Sequence, residues 1–382
     1  VPASLSISKV RNRADEKAFL DLPYELYRDD PAWRAPLRFE RAEQLSVSKN
    51  PGAPSERALF LAHREGQIVG RIAAFTNSYH DKHNDKETGF FGYFDTIKDA
   101  DVQRQLLEKV QDWLLKKGRS RMVGPAQWGV NEECGLLIEG FDEPPVVMMP
   151  FGRKDYQASL ERFGLKKATD MYAFQAELAA GYPRSKFLQS LLKYAEKNKS
   201  ISWRSLNSSK FREEVDLVMD IFNDAWSENW GFIPFSDAQI SHMAKEIKPL
   251  IFKEGLWIGY IEDEPVAFIW MIPDLNELTH GLDGKLLPFG WTKLIWRLKI
   301  KGAKQARIPL MGLRKGHQNT RKGLALVAQL CETVFAAGRN KGFTHCELSW
   351  ILEDNEGMIG ICEQASAKSY KTYRMYEKAI SA

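Results

Sequence analysis

Two stretches about two hundred residues apart repeat one pattern. Residues 58–72 and 255–269 each run from an apolar stretch through an acidic turn into a second apolar stretch, the signature of a β-hairpin. Residues 159–167 and 361–369 echo one another at the same offset, and each is followed by an aromatic, strand-like segment, 171–178 and 370–380. A duplicated domain accounts for both echoes. With 382 residues, 44% hydrophobic and 27% charged, the chain can build two ordinary cores of about 100–200 residues each. The boundary predicted from the echo divides the chain into 1–178 and 179–382.

The second half gives the order of elements. Residues 211–226 and 237–247 have helical periodicity, the hairpin follows, and 308–313 reads as a short strand. A helix over 321–337 carries Leu324, Val327, Ala328, Cys331 and Phe335 on one face, with Gly338 and Gly342 closing it. Residues 345–351 alternate as a strand, Asn355 opens another helix, and 370–376 supply a last strand. The expected class is α/β with a mixed sheet, built twice.

The strand at 308–313 runs into Thr320, Arg321, Lys322, Gly323, Leu324 and Ala325. A glycine between basic residues at a helix start exposes backbone N–H groups at the positive end of the helix dipole, which suits a pyrophosphate. A CoA thioester is therefore the expected ligand.

Other classes recede. Cys134, Cys331, Cys346 and Cys362 have no metal-ligand or CxxC spacing. With no charged n-region followed by an apolar core at the start, this points to a reducing, cytoplasmic setting. No apolar run approaches the roughly 20 residues a membrane span requires. The formal charge of +4 gives no argument for nucleic acid, which is not expected as a partner. Yet between Gly281 and Lys322 eleven Lys or Arg face one acid, Asp283. That block is either a solvated face or the seat of an anionic partner. His80 and His83, among Asp81 and Asp85, fit a polar loop better than a zinc shell, so no metal is expected.

These elements resemble the GNAT superfamily of acyl-CoA N-acyltransferases, whose pyrophosphate loop follows Gln/Arg-x-x-Gly-x-Gly/Ala. Thr320-x-x-Gly323-x-Ala325 matches it except at the first position. By this resemblance Asn355 stands where the family's helix-opening Asn contacts the CoA arm. Cys362 stands where many members carry a tyrosine that reprotonates the thiolate. In the first half the resemblance covers 40–178, but residues 90–101 enter a helix over 102–117 with acids and no basic glycine turn. An acidic helix entry repels pyrophosphate, so this copy reads as degenerate.

The whole chain is similar to a bacterial tandem GNAT-like family of about this length. The motifs that carry the likeness lie at 26–33, 131–135 (Asn-Glu-Glu-Cys-Gly), 223–232, 349–355 and 370–378. Some members resemble bacterial ceramide synthases, which implies acylation of a long-chain, sphingoid-type amine from a fatty acyl thioester.

Amide formation from a thioester requires a neutral amine, a polarised carbonyl and a proton for the leaving thiolate. Backbone N–H groups at Met311, Gly312 and Leu313 are the expected oxyanion donors. Among Glu347, Glu353, Asp354 and Asp274, Glu353 is the expected base, the rival reading being that 353 and 354 only cap the next helix. Cys362 is read either as an acyl-accepting nucleophile or as a buried packing residue.

Acceptor contacts are expected from Asn223, Trp226, Asn229 and Trp230, whose cluster at 223–234 is otherwise a tryptophan-stapled corner. Asp274 and, from the first half, Asn131, Glu132 and Glu133 raise the same question. About thirty residues, 276–304, are inserted between the third and fourth strands. Trp291, Leu294, Ile295 and Leu298 share one helical face there, while Phe289, Trp296 and Ile300 widen the apolar surface. This stretch either packs between domains or makes a peripheral membrane contact through 285–301, at the inner face of the cell membrane. The expectation is an acyl-CoA-dependent N-acyltransferase with an amine acceptor. The alternatives are a Fem-like aminoacyl transferase and a non-catalytic CoA-sensing protein.

Overall fold

The computed structural model describes residues 4–179, 181, 184–248 and 251–381, and the side chains of Ile247 and of Lys299, from the basic block, lie outside that description. The chain forms two compact units. Val1–Asp170, Thr279–Trp291 and Lys371–Ala382 make the first, Met171–Leu278 and Thr292–Tyr370 the second.

In chain order the elements begin β1 (Leu5–Lys9), α1 (Arg13–Leu26), α2 (Arg38–Leu45), β2 (Arg57–Arg64), β3 (Gln67–Phe75), α3 (Ser78–His83), β4 (Thr88–Thr96), α4 (Ala100–Lys116) and β5 (Arg121–Gly124). They continue with β6 (Leu136–Glu139), α5 (Lys154–Arg162), β7 (Lys166–Glu177), α6 (Lys186–Lys197), β8 (Ile201–Ser205), α7 (Phe211–Trp226) and α8 (Asp237–Ile247). The last are β9 (Leu256–Ile261), β10 (Glu264–Pro273), α9 (Leu275–Thr279), α10 (Gly290–Trp296), β11 (Gln305–Leu313), α11 (Arg321–Lys341), β12 (His345–Leu352), α12 (Glu356–Gln364) and β13 (Lys368–Ala379).

In the first unit the strands run β1-β2-β3-β4-β5-β13, with β6 also on β13. The expected hairpin is β2 with β3. Helix α4 buries Val102, Leu106, Leu107, Val110 and Leu114 completely, a spacing of three or four residues that gives one apolar stripe. Each such side chain contributes about 1.5–3 kcal/mol by leaving water. The helix starts at Asp99, whose carboxylate accepts from the N–H of Asp101 (2.9 Å) and Val102 (3.2 Å). This is the acidic entry read from the sequence.

In the second unit the order is β7-β12-β11-β10-β9-β8, every neighbouring pair antiparallel except β11 with β12. Helix α11 lays Leu326, Leu330, Val334 and Phe335 on this sheet's core. It ends at Gly342, in the left-handed region at φ 93°. Gly338 does not close it, contrary to the sequence expectation. A Cβ at Gly338 would lie 2.9 Å from Met271 Sδ and 3.1 Å from Leu178 Cδ1, so this glycine lets the helix approach its neighbours.

The boundary between 178 and 179 also needs correction. β7 leaves the first unit at Met171 and pairs along β12, with Phe174 opposite Leu348. β13 joins β5 and β6 in the first unit, with Tyr376 opposite Gly124. A sequence echo orders the copies along the chain, whereas compact units follow hydrogen bonding, and an edge strand can pair with either sheet.

Candidate functional site

Strands β11 and β12 pair in parallel through Gln305↔His345, Ala306↔Cys346, Arg307↔Glu347 and Ile308↔Leu348, and then part. Beyond that point Met311, Gly312 and Leu313 remain paired only with Ile269, Phe268 and Ala267 of β10. A slot flanked by backbone polar groups therefore opens at the carboxyl ends of the two strands. The first turn of α11 follows β11 at the same end.

That turn differs from the sequence reading in one respect. The N–H of Gly323 is not bare: Thr320 Oγ1, the N-cap, accepts it at 3.0 Å and itself donates to His317 O at 2.8 Å. A Cβ at Gly323 would lie 2.1 Å from His317 O, so the glycine is required by the carbonyl that folds over it. Leu324 donates to Thr320 O, and Ala325 is buried in the core. Among the described residues, the N–H groups of Gly316, Asn319, Arg321 and Lys322 have no acceptor. The anion-binding capacity lies one and two positions before the glycine. Lys322 is paired with Glu262 at 2.5 Å on the surface. The Arg321 guanidinium lies 4.3 Å over the Tyr194 ring. Arg321 and Tyr194 line a 540 Å³ cavity with Lys186, Lys193 and Lys197, and no acid lines it among the described residues.

Trp226 anchors the end of α7 to this edge, its Nε1–H donating to Met311 O at 2.9 Å. Phe222 stacks beside it (4.9 Å) and touches Phe232 and Phe235 (5.9 and 5.5 Å). The backbone of Asn229 turns the corner, its N–H on Trp226 O and its carbonyl accepting from Phe232. The tryptophan-stapled corner is thus real. Asn223 Oδ1 is buried there with no partner among the described residues, while Trp230 is half-buried.

Asn355 caps α12, its Oδ1 accepting from Met358 N at 3.1 Å. Glu353 stands half-buried in the turn just before it, at the same end as Leu313. Asp274 does not join them. Its N–H bonds Gln305 O at the start of β11 and its carboxylate caps Asn276 N, about 20 Å of strand from Gly312 at ~3.3 Å per residue. Cys362 is 1% exposed within the core. Burial, with Cys331 and Glu363 nearby, pushes its thiol well above the usual range, which leaves no thiolate for nucleophilic attack.

Sequence reasoning named Glu347 among the candidate bases but missed the buried polar cluster it forms with Arg307, Ser349 and Tyr370 where the strands part. Arg307 and Glu347 are each 2% exposed. Arg307 Nε donates to Ser349 Oγ and Nη2 to Ser349 O, both at 3.1 Å. Glu347 accepts from Ser349 Oγ at 2.5 Å and from the Tyr370 phenol. The available signal was two charged residues at paired positions of adjacent core strands, which are costly unless partnered.

In the first unit the equivalent slot is closed. β4 and β5 pair through Thr88, Gly89 and Phe90, but the chain then stays against β4, Ala126 N bonding Phe91 O at 2.8 Å. A Cβ at Gly92 would lie 1.8 Å from Ala126 O. Trp128, 1% exposed, packs on Phe75 and Tyr93 behind it. Asn131 is half-buried. Glu132 accepts from Gln44 (2.8 Å) and Asn50 (3.4 Å), and Glu133 is paired with Arg41 (2.6 Å). His80 is buried, which pushes its pKa down, and His83 Nδ1 meets Tyr79 O. No cluster of three metal-ligating side chains occurs among the described residues.

No family model matches the chain. Protein YghO of Escherichia coli (strain K12) is 40% identical over 370 residues, covering 97% of this chain and 94% of that protein. A bacterial ceramide synthase of Caulobacter vibrioides (strain NA1000 / CB15N) is 38% identical over 380 residues, 99% and 98% of the two chains. Among solved structures, a tandem GNAT protein from the clavulanic acid biosynthesis pathway superposes with TM-score 0.57 at 12% identity, covering 99% of both chains. A GCN5-related N-acetyltransferase from Sphaerobacter thermophilus gives 0.55 at 11% identity, covering 99% and 96%. With a mixed sheet in each unit, a parallel pair that parts before a basic helix start in the second, and full-length relatives at this level of identity, the chain belongs to the tandem GNAT-like family.

Proposed function

We propose that the protein is an acyl-CoA-dependent N-acyltransferase whose second unit binds the thioester and whose acceptor is a lipid-like, sphingoid-type amine. The observation that carries this reading is the parting of β11 from β12 at the end where α11 offers unpaired N–H groups. The diphosphate sits on the N–H groups of Arg321 and Lys322 and the positive end of the helix. A further phosphate of CoA meets the cavity of Lys186, Lys193 and Lys197. The thioester arm enters the slot, where backbone N–H groups at 311–313 receive the developing oxyanion. The amine nitrogen attacks the carbonyl carbon, the C–N bond forms and the C–S bond breaks.

Two proton transfers accompany this. Glu347 replaces Glu353 as the preferred carboxylate for the amine proton, because it stands where the strands part and Ser349 and Tyr370 fix it. The Tyr370 phenol supplies the hydroxyl that the sequence lacks at Cys362: it donates its proton to the leaving thiolate and regains one from Glu347, its hydrogen-bond partner, which has taken the amine proton. The lipid character of the acceptor rests on the ceramide synthase relative and on the insert. Leu287, Phe289 and Ile300 are 80, 77 and 73% exposed, and Trp291, Ile295, Trp296 and Leu298 join them. Lys285, Lys293 and Lys301 are interleaved. Exposed apolar side chains concentrated in one stretch of sequence mark an interaction segment, and with cationic neighbours in the sequence they fit the interface of an anionic membrane.

Thiol release from palmitoyl-CoA, with and without sphinganine, tests the reading. Amine-dependent release with a new amide in the mass spectrum is expected. CoA binding without such release would replace the enzyme by a CoA sensor.

A further inference from the structure

The first unit, though its thioester slot is closed, holds a polar cluster that its own residues do not complete. Two bulky aromatics there, Tyr93 (φ 50°) and Trp128 (φ 74°), adopt the left-handed backbone region and pack on each other at 4.8 Å. Such conformations cost about 1–3 kcal/mol and persist where the surroundings over-determine them, most often at functional sites. Tyr93 lies at a bulge in β4, where two residues oppose one on β3. It is 4% exposed, and its hydroxyl has no partner among the described residues.

The groups that act on that phenol are charged. Glu132, Arg41, Arg71 and Glu133 all act on it electrostatically, and Arg57 does so from over the Trp128 ring. The cations are engaged elsewhere. Arg41 is paired with Glu133 (2.6 Å), which also accepts from Gln127 (3.0 Å). Arg71 is paired with Asp95 (2.7 Å), and Arg57 donates to Leu45 O (2.5 Å). Among the described residues, Glu132 accepts only from the neutral amides of Gln44 and Asn50. Burial, with the neighbouring Glu133, holds its carboxyl up at about 7 against the lowering effect of the two amides and Arg41. A carboxyl whose hydrogen-bond donors among the described residues are neutral amides, and a phenol with no partner among them, thus belong to one charged cluster. The cluster is not sealed: the Arg41 and Glu133 side chains keep 23 and 12% of their surface. Arg41 also lines a 440 Å³ cavity with Leu20 and Tyr24.

We infer that the first unit carries an ammonium-binding site, in which a primary amine of a ligand pairs with Glu132 and donates a second hydrogen bond to Tyr93 Oη. An ammonium has three donors and no acceptor, which matches a carboxylate and a phenol oxygen. A quaternary ammonium lacks those donors. As the cation binds, the Glu132 proton leaves to solvent and the carboxylate remains, so charge balances. The inference does not rest on the acyltransferase reading; the site is argued from the first unit alone.

Calorimetric titration of the full chain with octylamine at pH 7, in phosphate and in MOPS, tests it. Octylamine binds and releases about half a proton, since a carboxyl at about 7 is half-protonated there. Glu132→Gln, checked for folding by near-UV dichroism, loses at least tenfold in affinity together with the proton release, and Tyr93→Phe loses several-fold. 1-Octanol and octyltrimethylammonium do not compete. Absence of octylamine binding, affinity unchanged in both variants, or equal binding of 1-octanol would overturn the site. Should either variant fail to fold, the other and the two competitors still decide. Octylamine binding without acyl-CoA binding would retain this site and sink the acyltransferase reading, so the two fail separately.

Discussion

Gly323→Ala separates two explanations of the glycine at the start of α11. In an open helix position alanine is more favourable than glycine by about 1 kcal/mol. Here the new methyl would sit 2.1 Å from His317 O and 3.0 Å from Thr320 Oγ1, and a backbone carbonyl cannot move aside as the far end of a side chain can. Inserting a methyl into such a contact costs about 1–3 kcal/mol. The loop at 315–320 must lift, and the Thr320 cap, typically about 1 kcal/mol, is weakened with it. The net is a destabilisation of about 1–3 kcal/mol, or roughly 2–8 °C in Tm, and at least tenfold weaker acyl-CoA binding as the N–H groups of Arg321 and Lys322 are displaced. Gly316→Ala is the control, because a methyl there would meet no atom within 4 Å, and its Tm should stay within about 1 °C. Differential scanning fluorimetry with and without CoA reads both effects. A Gly323→Ala protein as stable as the parent would refute the steric account; unchanged CoA affinity would remove this corner from the binding site.

Three further outcomes follow from the geometry. Cys362→Ser retains most acyl transfer, and the native thiol resists iodoacetamide at pH 8, because burial keeps it protonated; rapid alkylation with loss of activity would contradict this. Phe289→Ser with Ile300→Ser lowers co-sedimentation with anionic vesicles about tenfold yet moves Tm little, since both side chains are exposed in the folded protein; equal sedimentation would remove the membrane contact. Glu132 has its folded pKa raised from 4.5 to about 7, so its contribution is complete below pH 4.5 and lost as pH rises through 7. Its full size is about 3 kcal/mol, and Glu132→Gln should gain stability relative to the parent between pH 5 and 8. A pH-independent difference in unfolding free energy would contradict the shift.

Much of the second unit was legible because period and punctuation agree there. Helices α7 and α8 begin and end where their apolar spacing does, and α11 begins after a threonine that serves as its cap. The acidic start of α4 was equally direct, since capping is a local interaction. Strand exchange was not legible: β7 and β13 carry the same alternation whichever sheet they join. Nor was the reason for Gly323, because a close carbonyl and a bound phosphate both call for a missing side chain. Arg307 looked like one more charge of the basic block, and Glu347 like one of four candidate bases, until pairing brought them to one end of a parallel ladder. The pairing of Glu132 with amides while Arg41 goes to Glu133 depends on residues roughly ninety positions apart, beyond any local pattern.

Amide hydrogen exchange with and without palmitoyl-CoA tests the central claim most directly. The account predicts protection at Gly316, Arg321 and Lys322, whose N–H groups lack acceptors in the free protein, and along 311–313, with none at the Asp99 entry of α4. Protection at 99–102 in the first unit, or none at 316–322 while CoA binds, would contradict it.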